Sequence, residues 1–220
     1  DLVVATGDMI EDNSGIDPVV EALSGIEAAL GRFYVFGSHD YYQARFQSIT
    51  KYFRHGSGTI RAEQADVERL ETGLRATGWA AVTNTSVTID SPSGPIRVSG
   101  VDDPYLRRHR TSHIRRDPED VAAIGLVHAP NVVSEWLLRG YDLVCAGHTH
   151  GGQVRMPITG AVVTNCDLPA ALAMGPHRIG SGWLHVSPGL GTSKFSPIRF
   201  LCRPEATLLE LIPARTPPTG

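Results

Sequence analysis

Apolar residues in this chain fall into short runs separated by Gly, Pro and polar residues. Leu2-Val3-Val4-Ala5-Thr6, Phe33-Tyr34-Val35-Phe36, Ala123-Ile124-Gly125-Leu126-Val127 and Tyr141-Asp142-Leu143-Val144-Cys145-Ala146 are almost continuously aliphatic or aromatic. That is the pattern of strands buried on both faces. Between the first two, Val19, Leu23, Ile26 and Leu30 recur at helical spacing, which predicts a helix over 17–31 with Pro18 in its first turn and Gly31 past its end. A second helix is predicted over 63–76, with Val67, Leu70 and Leu74 inward and Gly78 ending it, and a short third over 131–139. Residues 41–62 read as loop. Residues 79–101, with the turn Pro92-Ser93-Gly94-Pro95, read as two or three antiparallel strands. Strand-like runs follow at 161–164, 182–187, 198–202 and 207–212, and 213–220 reads as a tail. Strand–helix alternation followed by antiparallel runs predicts an α/β (α+β) layered arrangement, two sheets with helices outside, in a single domain over 1–220.

The four buried runs share a second property. The first ends in Gly7-Asp8, the second in Gly37-Ser38-His39-Asp40, the third in His128-Ala129-Pro130, and the fourth in Gly147-His148-Thr149-His150-Gly151-Gly152-Gln153. Sheets of buried strands bind their ligands at the carboxyl ends. Neutral imidazole is the commonest metal ligand, and the glycines flanking His148 and His150 allow a sharp turn and leave room for an anion. A lone His-x-His is a modest signal. Four strand ends carrying Asp or His make a metal centre the expected chemistry.

Composition narrows the field without adding to it. The 220 residues are 41% hydrophobic and 20% charged, with a net charge of −3, an ordinary globular balance that argues against a general binder of nucleic acid or anionic membrane. Cys145, Cys166 and Cys202 are too few and too scattered for a disulfide framework, and Cys145 reads as a small core hydrophobe. No apolar stretch has the length of a membrane span. The chain opens at Asp1, in or just before a strand, so it is expected to be a piece without its natural N-terminus.

In their order along the chain, Gly7-Asp8, Gly37-Ser38-His39-Asp40, His128 and Gly147-His148-Thr149-His150 resemble the motifs of the calcineurin-like metallophosphoesterases. That superfamily writes D-x-H, G-D-x-x, G-N-H-[DE], a lone His and G-H-x-H. Val101-Asp102-Asp103-Pro104, Val186-Ser187-Pro188-Gly189-Leu190-Gly191 and Pro204-Glu205-Ala206-Thr207-Leu208 resemble its bacterial branch of membrane-associated phosphoesterases. The resemblance implies a four-layer αββα sandwich, here lacking its first strand. It implies that Asp8 bridges two divalent transition-metal ions, that His128 and His148 hold the second, and that His150 holds the first. Ser38 stands at a metal-ligand position. His39, with Asp40 behind it, would be the catalytic pair that stabilises charge or protonates the leaving oxygen. The reaction implied is hydrolysis of a phosphomonoester, phosphodiester or pyrophosphate by a metal-bridging hydroxide, and no residue is assigned to an organic cofactor. Two cations neutralise the phosphoryl anion and acidify water, and imidazole-rich ligand sets favour Mn, Fe or Zn over Mg or Ca.

Two departures from the motifs carry consequences. D-x-H is absent and is expected upstream of Asp1, which leaves the first metal only Asp8 and His150, below the three protein ligands of a catalytic zinc site. The chain as written is therefore expected to be inactive and its parent active. Ser38 replaces the Asn ligand, so either a water fills that place or His39 swings in as ligand. A catalytically degenerate relative that binds a phosphorylated ligand or a protein partner is the main competing reading. A metallo-β-lactamase-like site would show His-x-His-x-Asp-His where Gly151-Gly152 stand, and an amidohydrolase would carry His-x-His on an early strand.

Other residues have plainer readings. His55, His109, His113 and His177 read as solvated loop residues, and His185 as a satisfied core or interface imidazole. The arginines between 107 and 116 either guide an anionic substrate or lipid headgroup, or form a solvated loop balanced by Asp117, Glu119 and Asp120. Tyr41 and Tyr42 either line the pocket or pack, and Gly189 to Gly191 shape its rim. The partner expected is a phosphorylated small molecule or lipid-linked substrate. Cytoplasmic and membrane-associated locations both stay open, the latter through residues upstream of Asp1, as does the oligomeric state.

Overall fold

The computed structural model describes residues 1–44, 63–158, 160–164, 166–192, 194 and 197–213. The elements in chain order are β1 (Leu2–Ala5), α1 (Ile16–Ser24), β2 (Gly31–Tyr34), α2 (Ser38–Tyr41), α3 (Val67–Ala76), β3 (Ala80–Ala81), β4 (Thr85–Ser91), β5 (Gly94–Gly100), β6 (Ala122–Val127), α4 (Val133–Leu137), β7 (Leu143–Ala146), β8 (Arg155–Met156), β9 (Gly160–Ala161), β10 (Gly175–Ile179) and β11 (Gly182–Val186). Strands β1, β2 and β3 form one parallel sheet. A second sheet runs β10-β11-β7-β6-β5-β4. Its inner strands are parallel, and β10 and β4 are antiparallel edges. Strands β8 and β9 make a separate small hairpin.

Period-two alternation sorts each strand's residues between layers. Phe33 and Val35 face Val98, Ile124, Leu126, Leu143 and Cys145 in a core between the two sheets. Tyr34 and Phe36 point the other way, onto Leu70 and Leu74 of α3 and the Val19, Val20 and Leu23 stripe of α1. On the far face of the larger sheet, Ala123, Val127, Val144 and Ala146 pack under Val133 and Trp136 of α4. The result is helix, sheet, sheet, helix: the expected αββα sandwich. Because the inner strands are parallel, β1, β2, β5, β6, β7 and β11 deliver their carboxyl ends to one edge.

Several boundaries differ from expectation. Helix α1 ends at Ser24, where Gly25 caps it, and not at Gly31. Gly31, at φ +115°, instead opens β2, and the Leu30 amide donates to the Asp1 carbonyl. Helix α3 begins at Val67 because Asp66 caps it, accepting from the Arg69 amide, while Ala65 is held by the Tyr41 carbonyl. The 79–101 stretch splits: β4 and β5 form the expected antiparallel hairpin, but β3 joins the other sheet in parallel. Strand β10 lies where none was expected. The runs at 198–202 and 207–212 stay irregular apart from one bridge between Val154 and Phe200, and the run at 161–164 contributes only Ala161 to β9. The loop expected at 41–62, His55 included, lies mostly outside the described residues, as does the tail from 214 on. No helix among the described residues is long and apolar enough to cross a membrane.

Trp136 is fully buried over Gly125, where an added Cβ would lie 2.7 Å from the indole. Trp136→Ala is expected to cost about 3–5 kcal/mol in urea unfolding, the range for truncating a buried aromatic side chain. A loss below about 1 kcal/mol would show that α4 is not part of the core.

Candidate metal centre

The two sheets meet at their carboxyl edge so closely that only glycine fits there. A Cβ on Gly37 would fall 2.4 Å from Asp8 Oδ1 and 2.6 Å from His128 Nδ1, and one on Gly7 would fall 2.4 Å from the Gly37 amide. Asp40 fastens this junction. Its fully buried carboxylate accepts from the amides of Gly37 at 2.8 Å, Asp8 at 2.9 Å, Met9 at 2.8 Å and Ile10 at 3.3 Å. Burial and the neighbouring Asp8 carboxylate push Asp40 up to about 7, against the pull of those amides. Asp8 is thereby held at φ +51°, a left-handed conformation costly for a non-glycine residue, and its Oδ1 accepts from the His39 amide at 2.8 Å.

From the other sheet, His128 is 1% exposed and lies 2.8 Å through Nδ1 from the Thr6 carbonyl. A carbonyl oxygen only accepts, so Nδ1 carries the proton and Nε2 is turned toward Asp8. His128 Nε2 is 3.2 Å from Asp8 Oδ2 and 3.1 Å from His148 Nδ1. Asp8, His128 and His148 therefore offer three ligand atoms within 4.8 Å of one another. A divalent cation placed among these atoms would meet all three at once. Burial disfavours a charged His128, but the Asp8 carboxylate outweighs it and raises the imidazole to about 9. Burial likewise works to raise Asp8, yet His128 and His39 hold it well below the usual carboxylate range. The donor set fits a divalent transition metal: one carboxylate and two imidazoles, with a carbonyl behind one ring to fix its tautomer.

His150 stands outside this three-residue cluster at φ +51°; burial pushes its imidazole down, and the Asp8 charge opposes that. Ser38 is the first residue of α2. His39 is held beside Asp8 by its amide, and its Nδ1 is buried with no hydrogen-bond partner. Asp40 does not stand behind the His39 ring as expected, because its two oxygens are occupied by the four amides.

Sequence reading passed over Asp103, which is fully buried with one carboxylate oxygen on the Tyr105 amide and the other unpartnered. Burial raises its carboxyl to about 6, with the His128 charge pulling it back. The available signal was the same one as elsewhere: β5, too, ends at this edge in an acidic pair, Asp102-Asp103. Tyr105 places its ring 5.6 Å from that of His148. Tyr41 packs with Phe36 in the helix-side core and under the Arg108 guanidinium, 4.1 Å from its ring centroid. His113 and His177 are bound to the carbonyls of Gly100 and Met174, and His109 has a buried, unpartnered Nδ1, so these three are not simply solvated. His185 is in the core as expected, but its Nε2 has no partner. Among the arginines, Arg108 pairs with Asp102 and Arg116 with Asp142.

No family model matches the chain. Among curated proteins it is similar to the uncharacterized metallophosphoesterase YkoQ of Bacillus subtilis (strain 168), 26% identical over 215 residues, which is 96% of this chain and 72% of the relative. It is similar to YkuE of the same organism, also an uncharacterized metallophosphoesterase, at 28% over 216 residues, 96% of this chain and 68% of the relative. The phosphodiesterase YaeI of Escherichia coli (strain K12) is 29% identical over 142 residues, 63% of this chain and 50% of that protein.

A ligand that binds only the folded state raises the melting temperature by mass action, by about 2.7 kcal/mol at a hundred times its Kd. For a chain of this length Mn2+ at that excess is expected to raise Tm by about 5–10 °C in calorimetry. Gly37→Ala, which drives a Cβ into Asp8 and His128, is expected to abolish that rise; an equal rise in the variant would place the ion elsewhere.

Proposed function

For a chain that belongs to the calcineurin-like metallophosphoesterase superfamily, we propose hydrolysis of a phosphoester at the Asp8–His128–His148 cluster, supported by two divalent transition-metal ions. Phosphoester hydrolysis in general follows from the kinship. The observation that carries the finer reading is the convergence of one carboxylate and two imidazoles whose ligand atoms lie within 4.8 Å of one another. Divalent ions held there would supply charge neutralisation for the phosphoryl group and acidify the attacking water.

The chain's own residues do the rest. Asp8, His128 and His148 would hold one ion, and Asp8 with His150 would contribute to the other. The Thr6 carbonyl keeps the proton on His128 Nδ1, so that Nε2 stays a ligand. Asp40 is a positioning residue in this reading: through the amides of Asp8 and Gly37 it sets where the Asp8 carboxylate points. His39 would give a proton to the leaving oxygen, held in place through its amide on Asp8. The half-exposed Tyr105 ring stands beside that of His148. A phosphodiester of a small molecule or of a lipid-linked group is the substrate we infer, a reading supported by the phosphodiesterase name of one relative. The competing reading, a binding module, draws support from the serine at position 38, where the resembled motif has an Asn ligand.

An aryl phosphodiester assay with Mn2+ separates the two. Measurable turnover that falls by more than about 100-fold in Asp8→Asn is expected, since even residues behind metal ligands cost 10–100-fold. Tight metal binding without turnover would support the binding module instead.

A further inference from the structure

Beyond the ligand cluster, one cation is committed almost entirely to backbone. Arg199 donates from Nε to the Gly191 carbonyl at 3.1 Å, and from Nη1 to the His150 carbonyl at 3.2 Å. From Nη2 it reaches the carbonyls of Pro188 at 2.6 Å, Gly189 at 3.3 Å and Gly191. The two groups of carbonyls belong to different loops, one after β7 and one after β11, at the same edge of the larger sheet. The His150 carbonyl receives a second donor, the Cys202 thiol at 3.2 Å, and Cys202 Sγ is itself 3.5 Å from Arg199 Nη1. Next to them the Phe200 amide donates to the Gln153 carbonyl, and the Arg155 amide to the Phe200 carbonyl.

The loop secured in this way is one the chain would not hold unaided. His148, His150, Gly151, Gly152 and Gln153 all have positive φ, three of them non-glycine. Such conformations persist only where the surroundings over-determine them, and they gather at sites that need fixed geometry. Four carbonyls in two loops match a planar fork of five N–H donors, which a lysine ammonium cannot reproduce.

We propose that Arg199 is a positioning residue for the metal centre: its guanidinium ties the His148–Gln153 loop to the Pro188–Gly191 loop and so fixes where His150 stands relative to Asp8. Cys202 is the second anchor of the same carbonyl. The assignment rests on the metal reading above, because it makes the His150 ring a ligand.

The test uses the whole chain with Co2+ as probe and compares wild type, Arg199→Met and Arg199→Lys. Co2+ titration is followed by its visible absorption, Cys202 exposure in the metal-free protein by Ellman's reagent with the labelled cysteine identified by peptide mass, and folding by thermal melting. Both variants are expected to weaken Co2+ binding by at least about tenfold and change its absorption bands, as loss of a group behind a ligand does. Cys202 is expected to label at least about tenfold faster while the core Cys145 does not, the pattern of a local opening. A variant that binds Co2+ with wild-type affinity and spectrum overturns the assignment, and so does full rescue by Arg199→Lys. Should Arg199→Met fail to fold, the Lys variant decides alone. A wild-type protein that binds no Co2+ defeats the metal reading, and with it the role given to Arg199.

Discussion

The bond from His128 Nδ1 to the Thr6 carbonyl joins the two sheets at the point where the chemistry sits. His128 comes from the end of β6 in the larger sheet, and Thr6 from the end of β1 in the smaller. The bond settles the tautomer, turns Nε2 toward Asp8, and makes the position of one sheet the reference for the other. Around it, the glycines at 7, 37 and 147 let the strand ends approach to distances any side chain would block.

That closeness has an electrostatic cost. Asp8, Asp40 and Asp103 are carboxylates brought within one largely buried junction, and taking them out of water is unfavourable unless each finds partners. Asp40 is met by four backbone amides. Asp8 is met by His128 and the His39 amide. A cation replacing the His128 proton would be met by the Asp8 carboxylate, with His128 and His148 as softer donors beside it. Backbone strain at Asp8, His148 and His150 is concentrated at the same place, and the amide, carbonyl and guanidinium contacts around it hold those residues there.

Much of this was legible in the chain. Continuous apolar runs bounded by Gly, Pro and polar residues located β1, β2, β6 and β7, and the residues after each run named Asp8, His128 and His148 without reference to any fold. The helix ends were less visible, because Ile26 and Leu30 continue a helical spacing that Gly25 interrupts locally. Strand β3 was misassigned to the antiparallel group, since two alanines carry no periodicity and its partner β2 is far away in sequence. The resemblance sets Asp40 behind His39. Three of the four amide partners of Asp40 lie some thirty positions earlier, and nothing local reveals a carboxylate that serves amides beyond another strand. Arg199 was invisible for the same reason: four carbonyls in two distant loops leave no pattern of their own around it.

The central claim is that Asp8 Oδ2, His128 Nε2 and His148 Nδ1 share one cation. Crystals soaked in zinc and measured on both sides of the zinc absorption edge test it directly. An anomalous peak about 2.0–2.2 Å from all three atoms is the predicted result. A peak bound elsewhere, or none at this point with His128 Nε2 still bonded to Asp8, would contradict it.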